Sequence, residues 1–558
     1  MLLVSRVPPT PPFAATPPTP DVGARVWEEV AAFLGAAETH GLDRPPIRID
    51  THAAVVFLAG AIAYKIKRPV RFPFLDFSTP ERREAACRSE MDVDRPIAPR
   101  IYRRLVAITR EADGRLAFGG TGRVVEWAVE MNRFDETATL DRRVAEGPLA
   151  AELVDGFAAT VARMQARAGR REAAPWIADL GRYLDQNAEA FALRPDLFPP
   201  GEAALLTERS RERLATLGDL LEARGRLGFV RLGHGDLHCG NVAVIEGEAQ
   251  PFDAIEFDDA IATGDVLYDA GFLVMDLADR GDRASARRFL DRLTLEATRL
   301  EAEARVGRGA PRGEETVAAT FLHEIDGLAG LALFLSIRAA LRAKIAAARA
   351  PHLDTAGRDA AEAEARRLFG RAIDHMAPRT PRLIAIGGLS GSGKSRLAID
   401  LAPGFEPSPG AMVLRSDQIR KLLAGVVDTA RLPASAYTPE ASARVYDLLV
   451  RAAGRVLAAG RSAIIDAVAA RPEERARFAA IAASAEVPFT GIWLDVDAEV
   501  AAMRVGDRRG DASDADGRVV RRQRGYDLGT IDWIRLDAGG TAEATLGAAR
   551  AVLGETLP

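Results

Sequence analysis

Cysteine is almost missing from this chain. Two stand in 558 residues, Cys87 and Cys239, far apart and in unlike surroundings. That excludes a disulfide framework and a cysteine-built zinc site, and it fits a reducing cytosol. No run of about 20 apolar residues occurs, so no membrane-spanning helix is expected. Excess positive charge is missing too, since the net charge is -5. No global field draws the chain to nucleic acid. No interleaving of basic and aromatic residues marks a strand-binding groove either, so nucleic acid is not the expected partner.

What is present is an ordinary globular composition, 48% hydrophobic and 27% charged. At roughly 100–200 residues per domain, the length is about three domains' worth of chain. Residues 1–20 are rich in proline and lack a sustained apolar stretch, so they read as a disordered leader rather than a signal peptide. A helical pattern follows from Asp21 to Gly41. Short apolar runs at Val55–Leu58, Ala61–Tyr64 and Val124–Val129 read as strands, interrupted by an amphipathic helix around Pro80–Asp94. Helical periodicity dominates from Leu140 to Gly225 and again up to Ala350, around a strand-and-loop island at Phe229–Phe257. Residues 351–380 read as a helical linker ending in Ala-Pro-Arg-Thr-Pro, and a boundary between domains 21–350 and 381–558 is expected there. Beyond it, Leu383–Ile386, Ala463–Ile465 and Phe489–Leu494 alternate with helical stretches, the pattern of a parallel α/β sheet.

Gly388-Leu-Ser390-Gly391-Ser392-Gly393-Lys394-Ser395 matches the Walker A pattern between a predicted strand and a predicted helix. Glycines let backbone N–H groups converge on phosphate oxygens, and the helix N-terminus adds partial positive charge. Lys394 would reach the β and γ phosphates of ATP, and the Ser395 hydroxyl would ligate Mg²⁺. The order that follows is Asp417 and Arg420 after the second apolar run, Asp466 at a strand end, then Arg504 and Arg508. It resembles the small-molecule and polynucleotide kinases among P-loop proteins. The resemblance implies that Asp417 holds or deprotonates the acceptor hydroxyl and that Arg420 contacts the acceptor. It makes Arg504 and Arg508 lid arginines facing the transferring phosphate, and Asp466 a metal-binding acid. Asp417 is equally a favoured N-cap for a helix starting at Gln418, Asp466 a strand-end cap, and the arginines a solvated face.

The second signal is His234-Gly-Asp236-Leu-His-Cys-Gly-Asn241. An Asp followed five residues later by an Asn is the spacing of a protein-kinase catalytic loop, where the Asp orients the acceptor hydroxyl and the Asn holds Mg²⁺. Asp253 follows Asn241 by twelve residues, after a short predicted strand. Over roughly residues 45–345 the pattern resembles the aminoglycoside phosphotransferase and choline-kinase-like superfamily. That resemblance implies an α+β protein-kinase-like domain of two lobes, ahead of an α/β P-loop domain with a mainly parallel sheet. It makes Asp236 the catalytic base, Asn241 and Asp253 magnesium ligands, and Lys65 the lysine on the α and β phosphates. Glu90 becomes the partner of that lysine, and Glu126–Val129 the hinge near the adenine. Neither Gly-x-Gly-x-x-Gly nor Asp-Phe-Gly is present, and Lys67 competes with Lys65. His234 reads as structural, and Cys239 as a packing residue. Arg338 and Arg342, one turn apart, read as a solvated face or as a contact for an acidic or phosphorylated ligand.

Taken whole, the chain is similar to bacterial two-part proteins called bifunctional aminoglycoside phosphotransferase/ATP-binding protein. The expected function is ATP-dependent phosphoryl transfer by two modules to small-molecule hydroxyls. The alternatives are an ATP-switched binding protein and, from Asp417 and Arg420 alone, a polynucleotide 5′-kinase.

Overall fold

A computed structural model describes residues 22–51, 53–72, 75–311, 313–506 and 512–554. The leader and Arg508 lie outside the described residues. Packing groups the chain into two compact units, each assembled from separate stretches. The first takes residues up to Thr160, then Arg167–Asp276 and Phe334–Asp374. The second takes Val161–Ala166, Leu277–Leu333 and residues from His375 onward. The units therefore do not part at the Pro-rich segment alone, because the helices over Leu277–Leu333 group with the later residues.

The first unit begins with a six-stranded antiparallel sheet. Its order is Ile47–Asp50, Ala54–Ala59, Ile62–Lys67, Arg123–Asn132, Tyr102–Arg110 and Leu116–Phe118. Ala54–Ala59 is buried along its whole length, because helix Val22–Gly35 packs on one face and helix Pro80–Asp94 on the other. The second of these helices turns a largely polar face inward: Arg83, Cys87, Glu90, Met91 and Asp94 are all buried. A spacing of three or four residues places them on one face. A polar inward face is costly unless each charge is paired; Cys87 and Met91 of this helix meanwhile pack in the hydrophobic core against the sheet. Beyond the sheet the unit is mostly helical. A hairpin of Val242–Ile245 with Glu248–Pro251 and a short ladder of Val230–Leu232 with Thr263–Asp265 interrupt the helices. This is the kinase-like α+β fold expected from the sequence.

The second unit carries a five-stranded, all-parallel sheet. Its order is Met412–Arg415, Ala463–Asp466, Leu383–Gly387, Phe489–Asp495 and Ile534–Asp537. Leu383–Gly387 lies at the centre with every residue buried, as a parallel strand covered on both faces requires. The phosphate loop leaves its C-terminal end and enters helix Lys394–Leu401. Leu397 and Leu401 of that helix pack on Ile384, Ile386, Ile464 and Ile492.

Met412–Arg415 is an edge strand, which leaves unpaired backbone donors. Asp291 of helix Arg283–Gly307 accepts a hydrogen bond from the Val413 N–H and pairs with Arg287 at 2.6 Å. Burial pushes the Asp291 carboxyl up to about 6, against the opposing pull of Arg287. The unfolded value is the ordinary one near ~3.9. The folded state therefore holds this proton more tightly. The stability it contributes is complete below about pH 4 and is lost as the pH rises through about 6. Asp291→Asn keeps an acceptor for Val413 and removes the titration. Across pH 4 to 8 the parent should lose on the order of 2–3 kcal/mol relative to this variant. Denaturant melts of both proteins across that range check it, and a pH-independent difference contradicts it.

Candidate functional site

Strand alternation puts Lys65 and Lys67 on one face of Ile62–Lys67. Both lysines are buried, and both reach Glu90: Lys65 at 2.8 Å and Lys67 at 2.7 Å. The two then part. Lys65 also meets Asp253 at 2.7 Å, whereas Lys67 pairs with Glu256. Lys65 is thus the lysine held between the helix carboxylate and Asp253. Burial pulls its ammonium down, but Asp253 and Glu90 outweigh burial and hold it well above its ordinary range. Burial pushes Asp253 up, yet Lys65 and Lys67 hold it well below the usual carboxylate range. Asp94, one turn beyond Glu90, makes no ion pair among the described residues, and Lys65 acts on it only from a distance. Burial and the nearby Glu90 charge push its carboxyl well up, and it accepts from the Ala254 N–H at 3.0 Å.

Asp236 and Asn241 meet directly. Asn241 Nδ2 donates to the Asp236 carboxylate and to its backbone carbonyl, each at 3.0 Å. Three bonds tie this loop to the turn carrying Asp253. The Phe252 N–H donates to the Asn241 carbonyl at 2.9 Å, the Ile255 N–H to the His234 carbonyl at 2.9 Å, and His234 Nε2 to the Phe252 carbonyl at 3.1 Å. His234 is fully buried in this role, and Cys239 packs in the interior. His238 Nε2 lies 3.6 Å from Asp236 Oδ2, while its Nδ1 accepts from the Gly240 N–H. Asn241 and Asp253 are oxygen donors, the set a hard ion such as Mg²⁺ takes, so the residues fit that ion.

Residues 126–129 do not form a hinge. They lie mid-strand in Arg123–Asn132, and Glu126 is buried against Arg83 at 2.7 Å. The chain leaves the sheet at Arg133–Thr137, which line a cavity of about 510 Å³ together with the hairpin turn Gly60–Ala61. The strand read at Val124–Val129 runs on to Asn132, so the hinge position implied by the resemblance falls inside it.

In the second unit the phosphate loop is shaped by left-handed glycines, φ 89° at Gly391 and 92° at Gly393. At Gly391 a Cβ would fall 2.5 Å from the Ala501 carbonyl, so only glycine fits. Lys394 Nζ donates to the Leu389 carbonyl at 2.9 Å, and Ser395 Oγ to Asp466 at 2.5 Å. The Ser392 hydroxyl is buried without a hydrogen-bond partner among the described residues. A phosphate oxygen would satisfy it. The paired oxygens of Ser395 and Asp466 likewise suit Mg²⁺.

Ser416 opens the helix, with Arg415 at the cap position, so Asp417 sits in the first turn and does not cap. Burial and the Asp466 charge push its carboxyl up, opposed by a hydrogen bond from Ser513. Arg420 donates to the Ala436 carbonyl at 2.6 Å and lies over the Tyr437 ring. Arg504 is engaged with carbonyls, donating to those of Ala538 and Gly540 at 2.8 Å each. The sequence reading missed Gln523, whose side chain accepts from the Ser390 N–H at 2.8 Å. No spacing rule marks it, because a helix far along the chain supplies it.

Fold and site together describe a kinase-like unit and a P-loop unit in one chain. Residues 383–526 match a family model described as an AAA domain. Proteins of Mycobacterium tuberculosis and Mycobacterium bovis, both described as uncharacterized, are 28% identical over 92% of this chain and 97% of their own length. A choline/ethanolamine kinase family protein from Mesorhizobium loti covers 63% of this chain and 99% of its own, at 14% identity and a TM-score of 0.31. The Mycobacterium tuberculosis APS kinase, in complex with AMPPNP and APS, covers 32% of this chain and 99% of its own, at 19% identity and a TM-score of 0.23.

The two lysines are separable by experiment. Removing Lys65 takes the cation from Asp253 and removing Lys67 takes it from Glu256, while Glu90 keeps the other lysine; breaking such a buried pair costs about 3–5 kcal/mol. Lys65→Met and Lys67→Met should both lower the melting temperature of the first unit. Added MgATP should raise it again for Lys67→Met but not for Lys65→Met. Equal rescue of both in a thermal-shift titration contradicts the assignment.

Proposed function

We propose that the chain is an ATP-dependent phosphotransferase with two nucleotide-binding modules, each passing the γ-phosphoryl of ATP to a hydroxyl of a small-molecule acceptor. One observation carries the reading. In the first unit the Lys65–Glu90–Asp253 cluster is tied by backbone hydrogen bonds to the loop where Asp236 meets Asn241. Phosphoryl transfer asks a protein mainly for positioning and charge stabilisation, and these residues supply both.

Lys65 would place its ammonium on phosphate oxygens, with Glu90 fixing its direction. Asn241 and Asp253 would hold Mg²⁺, which when bound neutralises charge on the phosphates. Asp236 would orient the acceptor hydroxyl and take its proton. His238 beside it favours the carboxylate form, opposing the upward push of burial. In the second unit Lys394 and the loop amides would hold phosphates, Ser395 and Asp466 the metal. Asp417 would face the acceptor hydroxyl, and Arg420 the acceptor itself.

Asp236→Asn keeps the size and removes the base. It should leave ATP affinity within a few-fold and cut transfer by roughly 10²–10⁴. The assay uses γ-labelled ATP and a fractionated metabolite extract in a Lys394→Ala background, so that the second unit is silent. Transfer at the parent rate would remove Asp236 from the chemistry.

A further inference from the structure

The loop His234–Asn241 carries the proposed base near one end and a proposed metal ligand at the other. Two helices grip it from behind, and each supplies two charged residues from one face. On helix Val266–Asp279, Asp269 accepts the N–H groups of His234 and Gly235, both at 2.9 Å. Two turns further along the same helix, Asp276 Oδ2 accepts the Cys239 N–H at 3.0 Å. On helix Leu328–Arg349, Arg338 donates to the Gly235 carbonyl at 3.0 Å. One turn on, Arg342 pairs with Asp276.

Arg338 is neither solvated nor turned to an outside ligand. It is 3% exposed, and its guanidinium lies 4.0 Å from the Tyr268 ring centroid and 4.9 Å from that of Phe272. Two aromatic faces stabilise a buried cation without a carboxylate. Gly235 takes φ 78°, and its N–H and carbonyl are both clamped, by Asp269 and Arg338. The residue so held directly precedes Asp236. At the other end Asp276 is 1% exposed; its Oδ2 accepts the Cys239 N–H and its Oδ1 pairs with Arg342. The Cys239 amide it fixes lies two residues before Asn241.

We propose that Arg338 and Arg342 are positioning residues, Arg338 for the base end of the loop and Arg342, through Asp276, for its metal end. The assignment rests on the proposed function for the meaning of the two ends. The grip itself can be read without activity.

The test uses the full chain in the Lys394→Ala background, with MgATP as the probe and two readouts. Hydrogen exchange follows the amides of residues 234–241. Slow ATP hydrolysis by the first unit follows turnover and the half-saturating Mg²⁺ concentration. Arg342→Ala should speed exchange at Cys239–Asn241 and raise the half-saturating Mg²⁺ by about 10–100-fold, the scale of a lost supporting contact at a metal site. Arg338→Met should speed exchange at His234–Asp236 and lower turnover with the Mg²⁺ requirement unchanged. Arg342→Lys still pairs with Asp276 and should restore the Mg²⁺ requirement, which a general loss of folding would not allow. Unchanged exchange across 234–241 in both Ala and Met variants overturns the proposal. So does the same shift of both readouts in both variants. If the parent shows no Mg²⁺-dependent turnover with MgATP alone or with the metabolite extract added, the proposed function fails, and the exchange data still decide whether the arginines hold the loop.

Discussion

A site for a polyphosphate must keep positive charge and hydrogen-bond donors in a place shielded from water, and it must do so before the ligand arrives. Burying a charge without a partner is costly, so under the proposed function the protein supplies stand-in partners. In the first unit Lys65 rests between Glu90 and Asp253, and Lys67 between Glu90 and Glu256. In the second, Lys394 folds onto the Leu389 carbonyl and Ser395 onto Asp466. Much of the surrounding architecture follows from that need. A helix with a polar inward face packs on the antiparallel sheet, and the parallel sheet ends in a glycine-shaped loop.

Neutralising such a site fixes its geometry as well. The three bonds from His234, Asn241 and Ile255 join the His234–Asn241 loop to the Asp253 turn. Asp253 takes a left-handed backbone, φ 61°, uncommon for a residue with a side chain. Its N–H donates to the Tyr102 hydroxyl at 3.2 Å, and the next N–H donates to Asp94. A turn that would be strained alone is held by two buried polar groups from different elements, which is how backbone strain persists at functional sites.

Local spacing was enough to read part of this. Asp236 and Asn241 are five apart and share one loop; the Walker pattern is contiguous; the parallel α/β sheet follows from the alternation of apolar runs with helical stretches, whereas the two-lobed class of the first unit came from the resemblance. What escaped depends on contacts between distant residues. Period two puts Lys65 and Lys67 on one face, and only the position of Asp253 separates them. The N-cap alternative for Asp417 assumes a helix starting at Gln418, whereas the helix starts at Ser416. The Arg338–Arg342 pair has the spacing of a solvated stripe. Its burial depends on Tyr268, Phe272 and Asp276 of another helix, which no pattern along its own helix reveals. The grouping of Leu277–Leu333 with the P-loop unit is equally non-local, since Asp291 reaches an edge strand more than a hundred residues later.

Under the proposed function the chain holds two ATP sites, each built from its own residues. Calorimetric titration of the full-length protein with MgATP counts them. Two sites are expected in the parent, one in Lys65→Ala and one in Lys394→Ala, with the surviving affinity unchanged in each. A single site in the parent, or loss of both sites on either substitution, would contradict it.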